Sequence, residues 1–343
     1  MKTERTPTLL LLNPASGRGS AGRQADRIAR RAEAVCGPLE VLTTAAPGDA
    51  VGMAAEAAAR GVGRILVAGG DGTLGEVVSG LMQVPVSSAS ARPALGLLPV
   101  GSGCDFARSL GLPRGLDAAL ELVRAGHFRL LDVGRVEWEG VGGERRVRHF
   151  ANEVSAGLSG DTVERALHLS TRFGPRIGFL LGAVSSVLVH RPFEARVEID
   201  GESVHDGPIS LFAAANGCYF GAGMRVAPEA VPDDGRLEVV LARGLSRAEI
   251  LAHLPAFYLG RHGRHPMVSF HAARCVRLIP RVGVASAEAD GEGGLVLPLQ
   301  IECLPSALRV FTPAATIPLA SRVVALPSSA RVASPLALRR DRA

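Results

Sequence analysis

Arg64-Ile65-Leu66-Val67-Ala68, followed at once by Gly69-Gly70-Asp71-Gly72-Thr73 and then by Leu74 to Met82, is the stretch that decides the fold. Its first five residues are an apolar run of strand length, and Leu74 to Met82 has the spacing of a helix. The glycines between them let the backbone approach a ligand closely, and a helix N-terminus presents free N–H groups to phosphate oxygens. An aspartate there cannot face bare phosphate favourably, so Asp71 implies a metal or a hydroxyl to be activated. The competing reading is that Asp71 and Thr73 only cap the helix. A single cap does not account for glycines on both sides of it.

The same unit recurs on either side. Leu9 to Leu12 is a buried-type strand that stops at Asn13-Pro14, and Gln24 to Val35 follows as a helix with arginines on its outer face. Leu39 to Thr43 and Gly48 to Arg60 make a second strand and helix. Ala94 to Pro99 is a further strand, leading into Gly101-Ser102-Gly103-Cys104-Asp105-Phe106-Ala107-Arg108 with a short helix over Cys104 to Leu110. Such alternation predicts a doubly wound parallel sheet whose loops gather at the edge where open α/β sheets bind ligands. Gly17-Arg18-Gly19-Ser20-Ala21-Gly22 spells a dinucleotide fingerprint, but Asn13 to Ser16 separate it from the strand and Glu40 opens the second strand instead of closing it. A glycine-rich anion loop remains the reading.

After Asp132 the texture changes to short segments separated by Gly, Pro and Asp-Gly turns: Gly134 to Glu139, Arg146 to Glu153, Phe193 to Ile199, Ile209 to Ala214, Leu237 to Ala242, Met267 to Ala272 and Val276 to Ile279. Helices are expected near Thr162 to Leu167 and Pro175 to His190. The fold class is therefore α/β plus β, an N-terminal doubly wound sheet with a C-terminal antiparallel sandwich. The expected division is 1–132 for the nucleotide-binding domain and 133–303 for a β-rich lipid-substrate domain, with about 304–320 a candidate to return to the first. Residues 321–343 form a basic tail expected to be flexible, with electrostatic membrane contact through Arg331, Arg339, Arg340 and Arg342 as the alternative.

Composition narrows the chemistry. With 343 residues, 47% hydrophobic and 21% charged, the chain suits two packed domains. The run Ile177 to Val189 is interrupted by Gly178, Gly182, Ser185 and Ser186, too short to span a bilayer, and Met1 to Thr8 is polar, so a cytoplasmic protein is expected. The five cysteines are scattered and form no CxxC pair, which suggests neither disulfides nor a zinc site. His262 and His265 lack a third ligand nearby. Lys2 is the only lysine among 38 basic residues, which excludes mechanisms built on a P-loop, kinase β3 or Schiff-base lysine unless Lys2 supplies it. Aromatics at 4% argue against nucleic-acid stacking. A net charge of +5 suits an anionic membrane surface or a nucleotide.

The ordered set Leu12-Asn13-Pro14-Ala15-Ser16-Gly17, Thr44 before Gly48-Asp49-Ala50, Gly69 to Thr73, Leu98 to Arg108, Asp132, Asn216-Gly217, Pro228 to Asp234-Gly235 and Asp290-Gly291-Glu292 resembles the diacylglycerol kinase catalytic-domain family of bacterial lipid kinases, related to sphingosine kinases. The resemblance implies an NAD kinase-like α/β domain and an enzyme that moves the γ-phosphoryl group of ATP, with Mg2+, to a lipid hydroxyl such as that of diacylglycerol. It implies ATP along Asn13, Thr44, Gly69, Gly70, Asp71, Gly72, Thr73 and Ser102, and an acidic network of Asp71, Asp105 and Asp132. A structural magnesium would be held by Asp234 with the backbone of Val231 and Arg236, and Glu292 would be the base. The partners implied are a lipid alcohol and, transiently, the inner membrane surface, with no nucleic acid; a homodimer stays open. The other readings are an NAD kinase-like enzyme and a nucleotide- or lipid-binding protein without kinase activity.

Asp-Gly-Glu occurs twice, at 200–202 and 290–292, and either reads as a hairpin turn; the family's order selects the second. Two residues depart from the family pattern: Gly75 and Cys104 stand where asparagine is usual. Arg18 or Arg23 could take the charge role of the missing lysine. Phe179 to Leu188 could line an acyl cleft, though an ordinary packed helix serves as well.

Overall fold

The computed structural model describes residues 7–101, 103–140, 142–158, 185, 187, 188, 190–283 and 285–314. The expectations for 162–167, most of 175–190 and 321–343 lie outside these residues, as does Ser102.

The first half is built from β1 (Thr8–Leu12), α1 (Ser20–Arg23), α2 (Ala25–Cys36), β2 (Glu40–Thr43), α3 (Asp49–Ala59), β3 (Arg64–Gly69), α4 (Asp71–Gln83), β4 (Ala94–Pro99), α5 (Asp105–Ser109) and α6 (Leu116–Ala125). The four strands are parallel in the order β2-β1-β3-β4. Alternate strand residues point to opposite faces, and β1, β3 and β4, covered on both, are apolar almost throughout, whereas the edge strand β2 is largely exposed. Leu9, Leu11, Ile65 and Val67 pack with Ala54 of α3 and Val77 and Leu81 of α4. Leu10, Leu12, Leu66 and Ala68 pack with Ile28 of α2 and Leu120 of α6. Helices therefore cover both faces, as doubly wound topology requires.

Helices α3 and α4 touch at Gly80, where a Cβ would stand 2.2 Å from the Val51 carbonyl oxygen and 3.0 Å from the Ala54 Cβ. Gly80→Ala should gain helix propensity of about 1 kcal/mol. It also forces a methyl group against rigid backbone, at a cost of about 1–3 kcal/mol. Net destabilisation and a lower Tm are expected in thermal unfolding.

The second half contains β5 (Phe128–Glu139), β6 (Arg145–Phe150), β7 (Glu153–Gly157), β8 (Phe193–Ile199), β9 (Glu202–Ala215), β10 (Leu237–Arg243), α7 (Arg247–Tyr258), β11 (Val268–Ala273), β12 (Cys275–Pro280), β13 (Ser286–Ala289), β14 (Glu292–Val296) and β15 (Leu299–Phe311). These strands pair antiparallel with one another, in the order β14-β13-β7-β9-β8-β12-β15, with β10 joining β9 to β11 and β5 joining β15 to β6. Val136, Trp138 and Phe150 from β5 and β6 face Val154, Val197, Phe212 and Val239, so the antiparallel layers enclose one core. Strand β15 joins the two halves: it pairs antiparallel with β12 and β5 and parallel with β4, at Val310 and Leu95.

The expected strand from Arg146 to Glu153 is two strands. The N–H groups of Ala151, Asn152 and Glu153 turn away from the ladder to the Asp290 carboxylate, which ends β6 and starts β7. Helix α4 begins at Asp71, three residues before the sequence expectation, so Asp71 and Thr73 lie within its first turn.

Candidate active site

The loops after all four parallel strands meet at their C-terminal edge. Asn13, just past β1, donates from Nδ2 to the Thr73 hydroxyl at 2.9 Å, and its Oδ1 accepts the Ala15 N–H at 3.0 Å. Thr44, buried just past β2, donates its N–H to the Leu12 carbonyl. A Cβ on Gly101 would lie 2.6 Å from the Gly70 Cα, so the loops after β3 and β4 pack backbone against backbone. Only glycine permits that approach.

Asp71 bridges the same two loops: its carboxylate accepts the N–H groups of Asp105 at 2.9 Å and Phe106 at 3.0 Å. Burial pushes its pKa up, and those two hydrogen bonds oppose the rise. Asp105 is paired with Arg108 at 2.7 Å and accepts the Gly223 N–H at 3.0 Å from the other half of the chain. Burial, with Asp71 adding, brings Asp105 up to about 6.

Asp132, in β5, sits elsewhere. It accepts the N–H groups of Gly235 and Ser306, each at 2.7 Å, and its own carbonyl takes a hydrogen bond from Asn216. Its acidic neighbours are Asp234 and Asp233, which add to the effect of burial in raising its pKa. The structure thus brings Asp71 and Asp105 together and groups Asp132 with the 231–236 loop. In that loop Asp234 accepts the Arg236 N–H at 3.0 Å, and burial raises its pKa, with Asp233 adding. Among the described residues no three His, Cys, Asp or Glu side chains form a metal-ligand cluster.

Both Asp-Gly-Glu sequences are turns with positive φ at Asp and Gly: 49° and 91° at 200–201, 50° and 83° at 290–291. Their surroundings separate them. Asp200 accepts the N–H groups of Arg274 and Cys275 at an exposed hairpin. Asp290 is buried against the 151–153 backbone, and burial raises it to about 7. Glu292 then reaches the parallel domain: its Oε1 would lie 3.5 Å from a Cβ on Gly72, in the first turn of α4. Arg148 donates to the carbonyls of Glu292 at 3.0 Å and Gly293 at 3.2 Å, fixing the strand that carries it. Burial, with Glu76 adding and Arg148 opposing, brings the Glu292 carboxyl up to about 7.

Both departures from the family pattern have a local setting. A Cβ on Gly75 would stand 2.7 Å from Asp290 Oδ2, so the bare α4 backbone leaves the space that Asp290 fills. Cys104 sits at φ 51°, ψ 47°, the left-handed region in which asparagine is enriched. Its thiol is pushed up to about 12 by burial and Asp71, which makes it inert. Cys104→Asn should relieve strain and stabilise by about 0.5–1 kcal/mol, read as a rise in Tm.

Several groups at the site escaped the sequence reading. Glu76, on α4, adds to the raising of the Glu292 pKa, and its signal is its position four residues after Gly72. Glu153 and Glu288 form a buried carboxyl pair behind the turn, with Ser155 donating to Glu288; they come from strands far apart in the chain, and no spacing announces them.

The family description "Diacylglycerol kinase catalytic domain" matches residues 7–136, and "YegS C-terminal NAD kinase beta sandwich-like domain" matches residues 152–312. A diacylglycerol kinase of Mycobacterium tuberculosis is 31% identical over 306 residues, covering 88% of this chain and 94% of that one. The chain belongs to the diacylglycerol kinase family. A Chromohalobacter salexigens relative is 36% identical over 60% of this chain and 62% of its own length. A crystal structure from Bacillus anthracis str. Sterne superposes with a TM-score of 0.72 at 26% identity, over 92% of this chain and all of that one. This membership agrees with the mixed sheet, parallel in its first half and antiparallel in its second. No helix among the described residues is long and apolar enough to cross a membrane.

Proposed function

We propose that this member of the family is an ATP- and Mg2+-dependent lipid kinase that phosphorylates a hydroxyl of diacylglycerol or a similar lipid alcohol. The observation that carries the proposal is the approach of Glu292, from the antiparallel half, to Gly72 beside Asp71 in the parallel half. Carboxylates distant in sequence converge where glycine loops and a helix N-terminus can receive a triphosphate.

Phosphoryl transfer requires positioning, charge neutralisation and a base near the acceptor. Asn13, Thr44, the Gly69 to Thr73 loop and Ser102 would hold the nucleotide, with Arg18 or Arg23 supplying positive charge in place of lysine. The lipid oxygen attacks the γ-phosphorus, the bond to the β–γ bridging oxygen breaks, and the hydroxyl proton passes to Glu292 during transfer. Asp71 and Asp105 order the loops around this centre. At the 231–236 loop Asp132 and Asp234 repel each other while Asp233 is paired with Arg129, and an oxygen-rich loop of this kind suits a hard cation. Asp234 with the carbonyls of Val231 and Arg236 would hold magnesium there, in a structural role. A magnesium ion bound with the nucleotide supplies charge neutralisation on the phosphates.

The division near Asp132, with β15 returning to β4, would separate nucleotide binding from lipid binding. Peripheral contact with the inner membrane surface would deliver the acceptor. Mixed micelles of lipid alcohols with labelled ATP and magnesium test the proposal: label should enter diacylglycerol or a related lipid. Label entering NAD instead would favour an NAD kinase-like activity, and ATP binding without transfer would leave a binding protein.

A further inference from the structure

Helix α7 lacks the polar outer face of an ordinary surface helix. Ile250 and Phe257 are buried against the antiparallel sheet, in one cluster with Val240 and Ala242 of β10. On the opposite side Ala248, Ala252, Pro255 and Leu259 recur at intervals of three and four residues, and all four are exposed. Leu259 is 61% exposed, and Tyr258 beside it 37%. No Asp, Glu, Lys or Arg occurs between Glu249 and Arg261, so the whole outer stripe is uncharged.

Its surroundings are basic. From Val239 to Ala287 the chain has seven arginines and a single acidic residue, Glu249. That carboxylate is engaged with the Ser246 hydroxyl at 2.6 Å and with His265 at 3.7 Å. Arg247 begins the helix, and Arg261 and Arg264 follow its last turn; all three are exposed, and no carboxylate among the described residues pairs with any of them. The adjoining 225–230 loop adds Glu229, offset by Arg225.

We propose that the outer face of α7 is the surface by which the protein docks on an anionic lipid bilayer, the apolar stripe entering the headgroup region and the flanking arginines meeting lipid phosphates. The proposal rests on the reading of the acceptor as a membrane lipid. A helix with an apolar face edged by arginine is the pattern of an interfacial helix lying in the membrane plane. A second copy of the chain fits the stripe less well, because a two-fold interface sets the same arginines against one another with only Glu249 to answer them. The C-terminal end of the stripe also adjoins the cleft. The Phe257 carbonyl accepts the Arg225 N–H at 2.9 Å, and Gly223, two residues earlier, donates to Asp105 at 3.0 Å. Docking through α7 therefore brings the lipid phase beside the loops that carry Asp71 and Asp105.

Co-sedimentation with vesicles of phosphatidylcholine, with and without equimolar phosphatidylglycerol, tests this on wild type, Leu259→Asp and Arg261→Ala. Wild type should bind the anionic vesicles, leave the neutral ones largely in solution, and bind less as salt rises. Leu259→Asp should lower the partition coefficient at least about tenfold, and Arg261→Ala about fivefold. Both side chains are exposed, so both variants should unfold thermally as wild type does. They should also keep the wild-type rate on short-chain diacylglycerol dissolved as monomers, where no bilayer has to be met. Wild type that ignores anionic vesicles overturns the proposal, and so do variants that bind them as wild type does. A dimer in size exclusion, lost in Leu259→Asp while vesicle binding persists, assigns the stripe to a second copy and overturns it too. The kinase reading fails on a different result, the absence of label in every lipid offered, and the vesicle measurement is independent of that result.

Discussion

Glu292→Gln is expected to lower kcat by about 10²–10⁴, the usual contribution of a positioned general base, with the affinity for ATP nearly unchanged. Glutamine keeps the size of the side chain and cannot take a proton. Glu292 lies on a turn that Arg148 and the buried Asp290 hold independently of it, so the fold should survive. The wild-type rate should carry the same signature in its pH profile. A carboxyl raised to about 7 is protonated, and useless as a base, below that pH. The rate should therefore rise about tenfold per pH unit up to roughly pH 7 and then level off, when followed as label transferred to lipid. A flat profile between pH 5 and pH 8 in a still-active enzyme would count against Glu292.

Asp71→Ala should damage both stability and turnover. The carboxylate accepts the N–H groups of Asp105 and Phe106, and alanine leaves both donors buried without a partner. A loss of about 2–4 kcal/mol is expected from two unsatisfied donors, visible in denaturant titration. Activity should fall by at least ~10²-fold in protein that remains folded, because α5 carries the Asp105–Arg108 pair that meets Gly223 across the cleft. Asp71→Asn retains one acceptor oxygen and should lie between alanine and wild type on both measurements.

The parallel half was readable because β1, β3 and β4 are largely apolar runs leading into a glycine or asparagine loop, with β2 the exception; β4, Ala94–Pro99, falls on its expected residues. The antiparallel half was harder. The first half of β9 is polar and exposed on its outer positions, so only Ile209 onward signalled a strand. Helix α7 begins with a capping box, Ser246 with Glu249, that was there to be read, but Pro255 and a weak apolar stripe obscured the rest. Strands β13 and β14 are short and small-residue-rich, and only the Asp-Gly turn between them stood out.

The candidate site divides in the same way. Asp71, Asp105 and Glu292 announced themselves through glycine spacing and family order, while the contacts that set their behaviour come from elsewhere. Glu76 reads locally as one more charge on a helix, and its effect on Glu292 depends on how the two halves meet. The backbone donors on Asp290 belong to 151–153, a segment whose apolar alternation reads as continuous strand. Asp132 looked like a third member of the Asp71 group; β5 carries it instead to the 231–236 loop, whose N–H at Gly235 it accepts.

Single-turnover transfer from γ-labelled ATP to diacylglycerol in mixed micelles, run side by side with wild type and Glu292→Gln, probes the convergence of the two halves most directly. Rapid labelling of lipid by wild type, lost in the variant while nucleotide binding persists, is the expected result. Equal labelling by both proteins would contradict it.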